Sequence, residues 1–128
     1  MIDNLIIEAT NDTPGVRFAP SEDVFFIGNK SLPEDALSFY KPIQLWIEEY
    51  MQTPNDKTVF EFKFEYFNTA SAKQIGKVLL LLKKLRETSQ VVVRWFSEEE
   101  DLAMLQAGKR YEKLIDLPFE YVVFTPED

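Results

Sequence analysis

With 128 residues, 45% of them hydrophobic, the chain can bury one core without metals or disulfides and is read as a single domain, residues 1–128. Fourteen Lys and Arg stand against 22 Asp and Glu, a net charge of −8, which argues against nucleic acid or an anionic membrane as the main partner. With no Cys and no His, the sequence excludes disulfides, thiol nucleophiles, imidazole bases and zinc sites built on nitrogen or sulfur.

Leu5, Ile6 and Ile7 within Asn4–Ala9 predict a short strand, followed by the turn-forming run Asn11-Asp12-Thr13-Pro14-Gly15. Asp3 and an apolar run of only three residues are unlike a signal peptide, and no window approaches the roughly 18 apolar residues of a membrane span. A cytoplasmic protein is expected. Val16–Ala19 and Asp23–Ile27 read as two more strands on either side of Pro20-Ser21-Glu22, with Gly28-Asn29 ending the second and antiparallel pairing expected among all three.

Ser31-Leu32-Pro33-Glu34 has the form of a capping box, which predicts a helix start near Leu32. Ala36, Tyr40, Ile43, Ile47 and Tyr50 then fall on one helical face running to about Gln52, and Pro42 is expected to kink or split that helix. In Thr58–Phe67, Phe60, Phe62, Phe64 and Tyr66 alternate with Glu61, Lys63 and Glu65, predicting a strand with one aromatic and one charged face. A second helix, Ala70–Glu87, places Ile75, Val78, Leu79, Leu82 and Leu85 on one face, widened by Leu80 and Leu81. Val91–Phe96 reads as a strand, and the acidic run Ser97–Asp101 as the start of a third helix that uses Leu102, Leu105, Leu114 and Ile115 and weakens or breaks near Gly108. Beyond Pro118 comes a last strand, Phe119–Phe124, and then a tail, Thr125–Asp128, expected to fray. The order β-β-β-α-β-α-β-α-β implies right-handed crossovers after the first three strands, hence an α/β fold with a mixed sheet covered by helices mainly on one face.

Gly15, Gly28, Gly76 and Gly108 are isolated from one another, so no phosphate-cradling glycine loop exists and P-loop nucleotide hydrolysis is excluded. The many carboxylates read as solvated surface charge. Tyr66–Lys73 stands apart because it joins the aromatic strand directly to the second helix and offers Asn68, Thr69 and Ser71 where one cap would serve. The plain reading is capping by one of these three, with Ser71 and Gln74 as a capping box. The sharper reading is a phosphorylation switch, since a phosphate here adds about −1.5 to −2 charge facing the helix dipole, within reach of Lys73. Lys73, Lys77, Lys83, Lys84 and Arg86 form a basic strip, read either as a solvated outer face or as a docking edge for an acidic partner. Phe67, on the charged side of its strand, is a candidate contact anchor.

With these residues in view, the chain resembles the SiaC family of regulatory phosphoproteins from Ile7 to about Phe124. The resemblance is carried by Thr13-Pro14-Gly15-Val16, Ser31–Ala36, Phe39–Ile43, Tyr66-Phe67-Asn68-Thr69-Ala70-Ser71 and Leu117-Pro118-Phe119-Glu120. It implies a STAS-like (SpoIIAA-like) fold and a non-enzymatic switch without a cofactor, phosphorylated on Thr69 by a serine/threonine kinase and restored by a PP2C-type phosphatase. It further implies that the bare form binds a diguanylate cyclase and promotes cyclic-di-GMP synthesis for aggregation and biofilm control, and that phosphorylation removes this stimulus. Asn68, Thr69, Ser71 and Lys73 are then the expected partner-binding residues, with Ser71 the only nearby alternative hydroxyl because position 70 is Ala. Two other classes compete: a small-ligand module using the same crevice for a nucleotide or anion, and a carboxylate-dependent enzyme that would need a divalent metal.

Overall fold

The computed structural model describes residues 2–126. Its elements are β1 (Leu5–Ile7), β2 (Gly15–Ala19), β3 (Val24–Ser31), α1 (Ala36–Tyr50), β4 (Lys57–Phe67), α2 (Thr69–Leu85), β5 (Gln90–Glu98), α3 (Leu102–Ile115) and β6 (Phe119–Phe124), with a 3-10 turn at Pro20–Glu22. The six strands form one sheet in chain order, β1-β2-β3-β4-β5-β6. The β1–β2 and β2–β3 pairs are antiparallel, and the three pairs from β3 to β6 are parallel. Crossovers of one hand between successive neighbours put all three helices on the same face, as expected from the element order.

That face holds the core. Phe18, Phe25, Ile27, Phe60, Phe62, Val93 and Trp95 from the strands meet Tyr40, Ile43, Trp46, Ile47 and Tyr50 of α1 and Ile75, Val78, Leu79, Leu82 and Leu85 of α2. Each such side chain contributes about 1.5–3 kcal/mol on burial, far more than any surface pair. The opposite face carries charges in register: Arg94 lies between Glu61 at 3.7 Å and Glu120 at 3.2 Å, and Lys63 sits over the rings of Phe96 and Phe124.

Several local expectations fail for identifiable reasons. Ser31 does not cap a helix: it ends β3, which continues past Gly28-Asn29, and its hydroxyl turns inward. The cap of α1 is Asp35, whose carboxylate accepts from Ser38 N at 3.1 Å and Ser38 Oγ at 2.8 Å. Those two donors hold the Asp35 carboxyl below its ordinary range. Pro42 is exposed and α1 runs through it unbroken, because the packed Tyr40, Ile43 and Trp46 hold the turns around it. Leu80 is exposed and does not widen the α2 stripe, although Leu81 does pack.

The third helix begins later than the acidic run suggests. Ser97 and Glu98 belong to β5, and α3 is capped by Asp101, which accepts from Met104 N at 2.9 Å. It runs unbroken through Gly108, which touches Trp95 so closely that a Cβ there would lie 2.5 Å from the ring. Its buried residues are Met104, Ala107, Gly108 and Ile115, whereas Leu102 and Leu114 are exposed. Thr125 donates to Glu99 at 3.1 Å, while Glu127 and Asp128 of the expected frayed tail lie outside the described residues.

Candidate functional site

The site is set by an irregularity at the end of β4. Asn29 pairs with Phe64 but Lys30 pairs with Tyr66, so Glu65 is an extra residue that slips the register by one. Asn29, opposite the slip, takes the left-handed backbone at φ 75°. A one-residue slip reverses the facing of the residues beyond it. Tyr66, expected inside, is 56% exposed, and Phe67 points inward against Phe64, Trp95 and Tyr111 at ring distances of 5.5, 6.3 and 6.5 Å. Phe67 is therefore a half-buried lid on the core rather than a ring on the charged face of the sheet.

Asn68 follows and starts α2. Its backbone N–H donates to Ser31 O at 3.2 Å, and its side chain accepts from Ser71 N at 2.8 Å, so the cap belongs to Asn68 alone. Ser71 is fully buried: its hydroxyl donates to Ser31 O at 3.0 Å and accepts from Ser31 Oγ at 2.8 Å. Ser31 Oγ also meets Tyr40 OH at 2.7 Å, joining β3, α1 and α2 in one buried network. Burial pushes the Tyr40 phenol up to about 12, with the two serine hydroxyls opposing. Gln74, expected to complete a capping box with Ser71, instead accepts from Gln44 Nε2 at 3.0 Å across to α1. Ser71 thus shapes the site from below, and its burial removes it both as a surface contact and as an alternative phosphate acceptor.

Thr69 is the first residue of α2 and is exposed; its hydroxyl makes no hydrogen bond among the described residues. It stands at the rim of a groove of about 430 Å³ between α2 and α3, lined also by Phe67, Ala72, Lys73, Ala107, Arg110, Tyr111 and Leu114. Tyr111 OH donates to Ala72 O and fastens α3 to the first turn of α2. Burial, with the neighbouring Tyr40, raises the Tyr111 phenol above its ordinary value, so it remains a donor at neutral pH. The groove offers apolar walls and two cations, Lys73 and Arg110. Of the expected site residues, Asn68, Thr69 and Lys73 come together; Arg110, Tyr111 and Leu114 were missed, because α3 gives no local sign of facing α2.

All five cations of the basic strip, Lys73, Lys77, Lys83, Lys84 and Arg86, are exposed and unpaired among the described residues. No group of three or more carboxylates among these residues is arranged to hold a metal ion, and no helix is long and apolar enough to cross a membrane.

The chain is similar to known proteins over most of its length. The family model described as SiaC family regulatory phosphoprotein matches residues 7–124. An uncharacterized protein of Pseudomonas aeruginosa strain UCBPP-PA14 is 20% identical over 117 residues, 91% of this chain and 93% of that one. Among solved structures, apo-SiaC from Pseudomonas aeruginosa superposes with a TM-score of 0.84 at 19% identity, over 97% of this chain and all of that one. SiaC in a complex described as the diguanylate cyclase SiaD with its activator SiaC, also from Pseudomonas aeruginosa, gives 0.85 at 19% identity, over 93% and 98%. The mixed sheet with one-sided helices is accordingly a STAS-like (SpoIIAA-like) fold.

Proposed function

Because the chain belongs to the SiaC family of regulatory phosphoproteins, we propose that it is a switch protein whose bare form binds and stimulates a diguanylate cyclase and whose phosphorylated form does not. The whole chain acts as one STAS-like regulatory domain in the cytoplasm. A serine/threonine kinase transfers the γ-phosphoryl group of ATP to Oγ1 of Thr69, releasing ADP and the hydroxyl proton; a PP2C-type phosphatase hydrolyses the ester back to threonine and inorganic phosphate. The observation that carries the assignment is the contrast between two neighbouring hydroxyls. Thr69 is exposed with its hydroxyl unengaged, while Ser71 is buried and bonded.

The partner surface in this reading is Asn68, Thr69 and Lys73 together with the α2–α3 groove, whose apolar walls and flanking cations suit a segment with an apolar anchor and an acidic neighbour. Support for a cyclase as the partner comes from the solved complex in which a protein of the same fold is the activator of SiaD. A phosphate at the rim brings desolvation cost and steric bulk to that surface without unfolding it. The test is cyclic-di-GMP synthesis by the host cyclase in the presence of each variant. Thr69→Ala is expected to stimulate like the parent and Thr69→Glu to lose most of the stimulus; full stimulation by folded Thr69→Glu rejects the assignment.

A further inference from the structure

A phosphate on Thr69 has an acceptor surface waiting beside it. On a protein of net charge −8, the groove at Thr69 is lined by two cations and no carboxylate. Lys73 lies one turn beyond Thr69 on α2, which brings their Cβ atoms to about 5–6 Å. Arg110 comes from α3 on the far wall, and the bond from its neighbour Tyr111 to Ala72, next to Lys73, fixes the two helices together there. Neither Lys73 nor Arg110 takes part in an ion pair among the described residues. The shallow depression on the other side of Arg110 does carry Glu65 and Asp101, yet Asp101 is engaged in capping α3.

From this arrangement we infer that phosphorylated Thr69 folds its phosphate across the groove onto Lys73 and Arg110, so that the switch obstructs the docking groove with the protein's own side chain. The inference rests on Thr69 being the modified residue, as proposed above. A phosphate offers three acceptor oxygens, and the planar guanidinium of Arg110 meets two of them at once while Lys73 supplies a point charge. The apolar Phe67, Ala107 and Leu114 line the groove between and around these groups. Capture breaks no existing ion pair and leaves the buried Ser31–Tyr40–Ser71 network untouched. In the off state the groove is then obstructed and its two cations are already engaged.

Phosphorus NMR titration of protein stoichiometrically phosphorylated on Thr69 tests this without any partner. Two cations in contact are expected to lower the second ionisation of the phosphate by about half a unit or more from its ordinary value near 6. Arg110→Gln and Lys73→Gln, both at exposed positions, are each expected to move it back, and Arg110→Lys to restore it only in part. A titration near 6 that ignores Arg110→Gln overturns the capture. Calorimetry with the cyclase separates the two claims. If the phosphorylated parent fails to bind while its phosphate titrates near 6, the switch stands and the capture falls. If the phosphorylated parent binds as tightly as the bare form, the functional assignment falls, and the capture is decided by the titration alone.

Discussion

Thr69 and Ser71 sit two positions apart in one turn, yet their environments are opposite. Asn68 supplies the cap, so Thr69 is free of structural duty. Asn68→Ala is therefore expected to cost about 0.5–2 kcal/mol in urea denaturation, whereas Thr69→Ala stays within about 0.5 kcal/mol. Tyr40→Phe removes one arm of the buried network and is expected to cost about 0.5–1.5 kcal/mol without changing cyclase binding directly. That Asn68, Thr69 and Lys73 lie together was legible in the sequence, because polar side chains gather where a strand meets a helix. The role of Ser71 was not legible: it is fixed by Ser31, 40 positions earlier, a contact with no local trace.

Among the elements, α2 was the most legible, since its five buried aliphatic residues follow the helical period. The end of β4 and the whole of α3 were read less well. A bulge at Glu65 adds one residue to β4, and alternation carried past it places Tyr66 and Phe67 on the wrong sides. In α3 the closest approach to the sheet is that of Gly108 to Trp95, so the smallest residue marks the most intimate packing, while Leu102 and Leu114 face solvent. Gly108→Ala is expected to lower stability by about 1–3 kcal/mol, visible as a lower melting temperature, because the indole has nowhere to move. Leu114 is the converse case, 82% exposed at the groove. Leu114→Ala is expected to leave the melting temperature unchanged while weakening cyclase binding several-fold by calorimetry.

For the molecule as a whole, element order gave a mixed sheet with helices mainly on one face; the structure adds the strand order, in which the three right-handed strand–helix–strand units all advance in one direction and so share that face. The groove was out of reach of the same reasoning, since it depends on how far α3 tilts over α2. Three phenols give the fold a pH signature. Burial raises Tyr40, Tyr111 and Tyr121, the last also through the Glu112 carboxylate that accepts its hydroxyl. A folded-state value above the unfolded one means that stability is fully present below about pH 10 and is lost as pH rises from there through about 12 for Tyr40. Denaturation measured at successive pH values is expected to show this alkaline fall, and Tyr40→Phe to make it shallower.

In the proposed function, the chemical state of one exposed hydroxyl, that of Thr69, decides whether the groove between α2 and α3 receives a partner. The most direct measurement is calorimetric titration of the host diguanylate cyclase with this protein, bare and stoichiometrically phosphorylated on Thr69. The bare form is expected to bind and the phosphorylated form to bind at least about 100-fold more weakly, a difference of about 2.7 kcal/mol. Equal affinity of the two forms, both folded, would contradict the account.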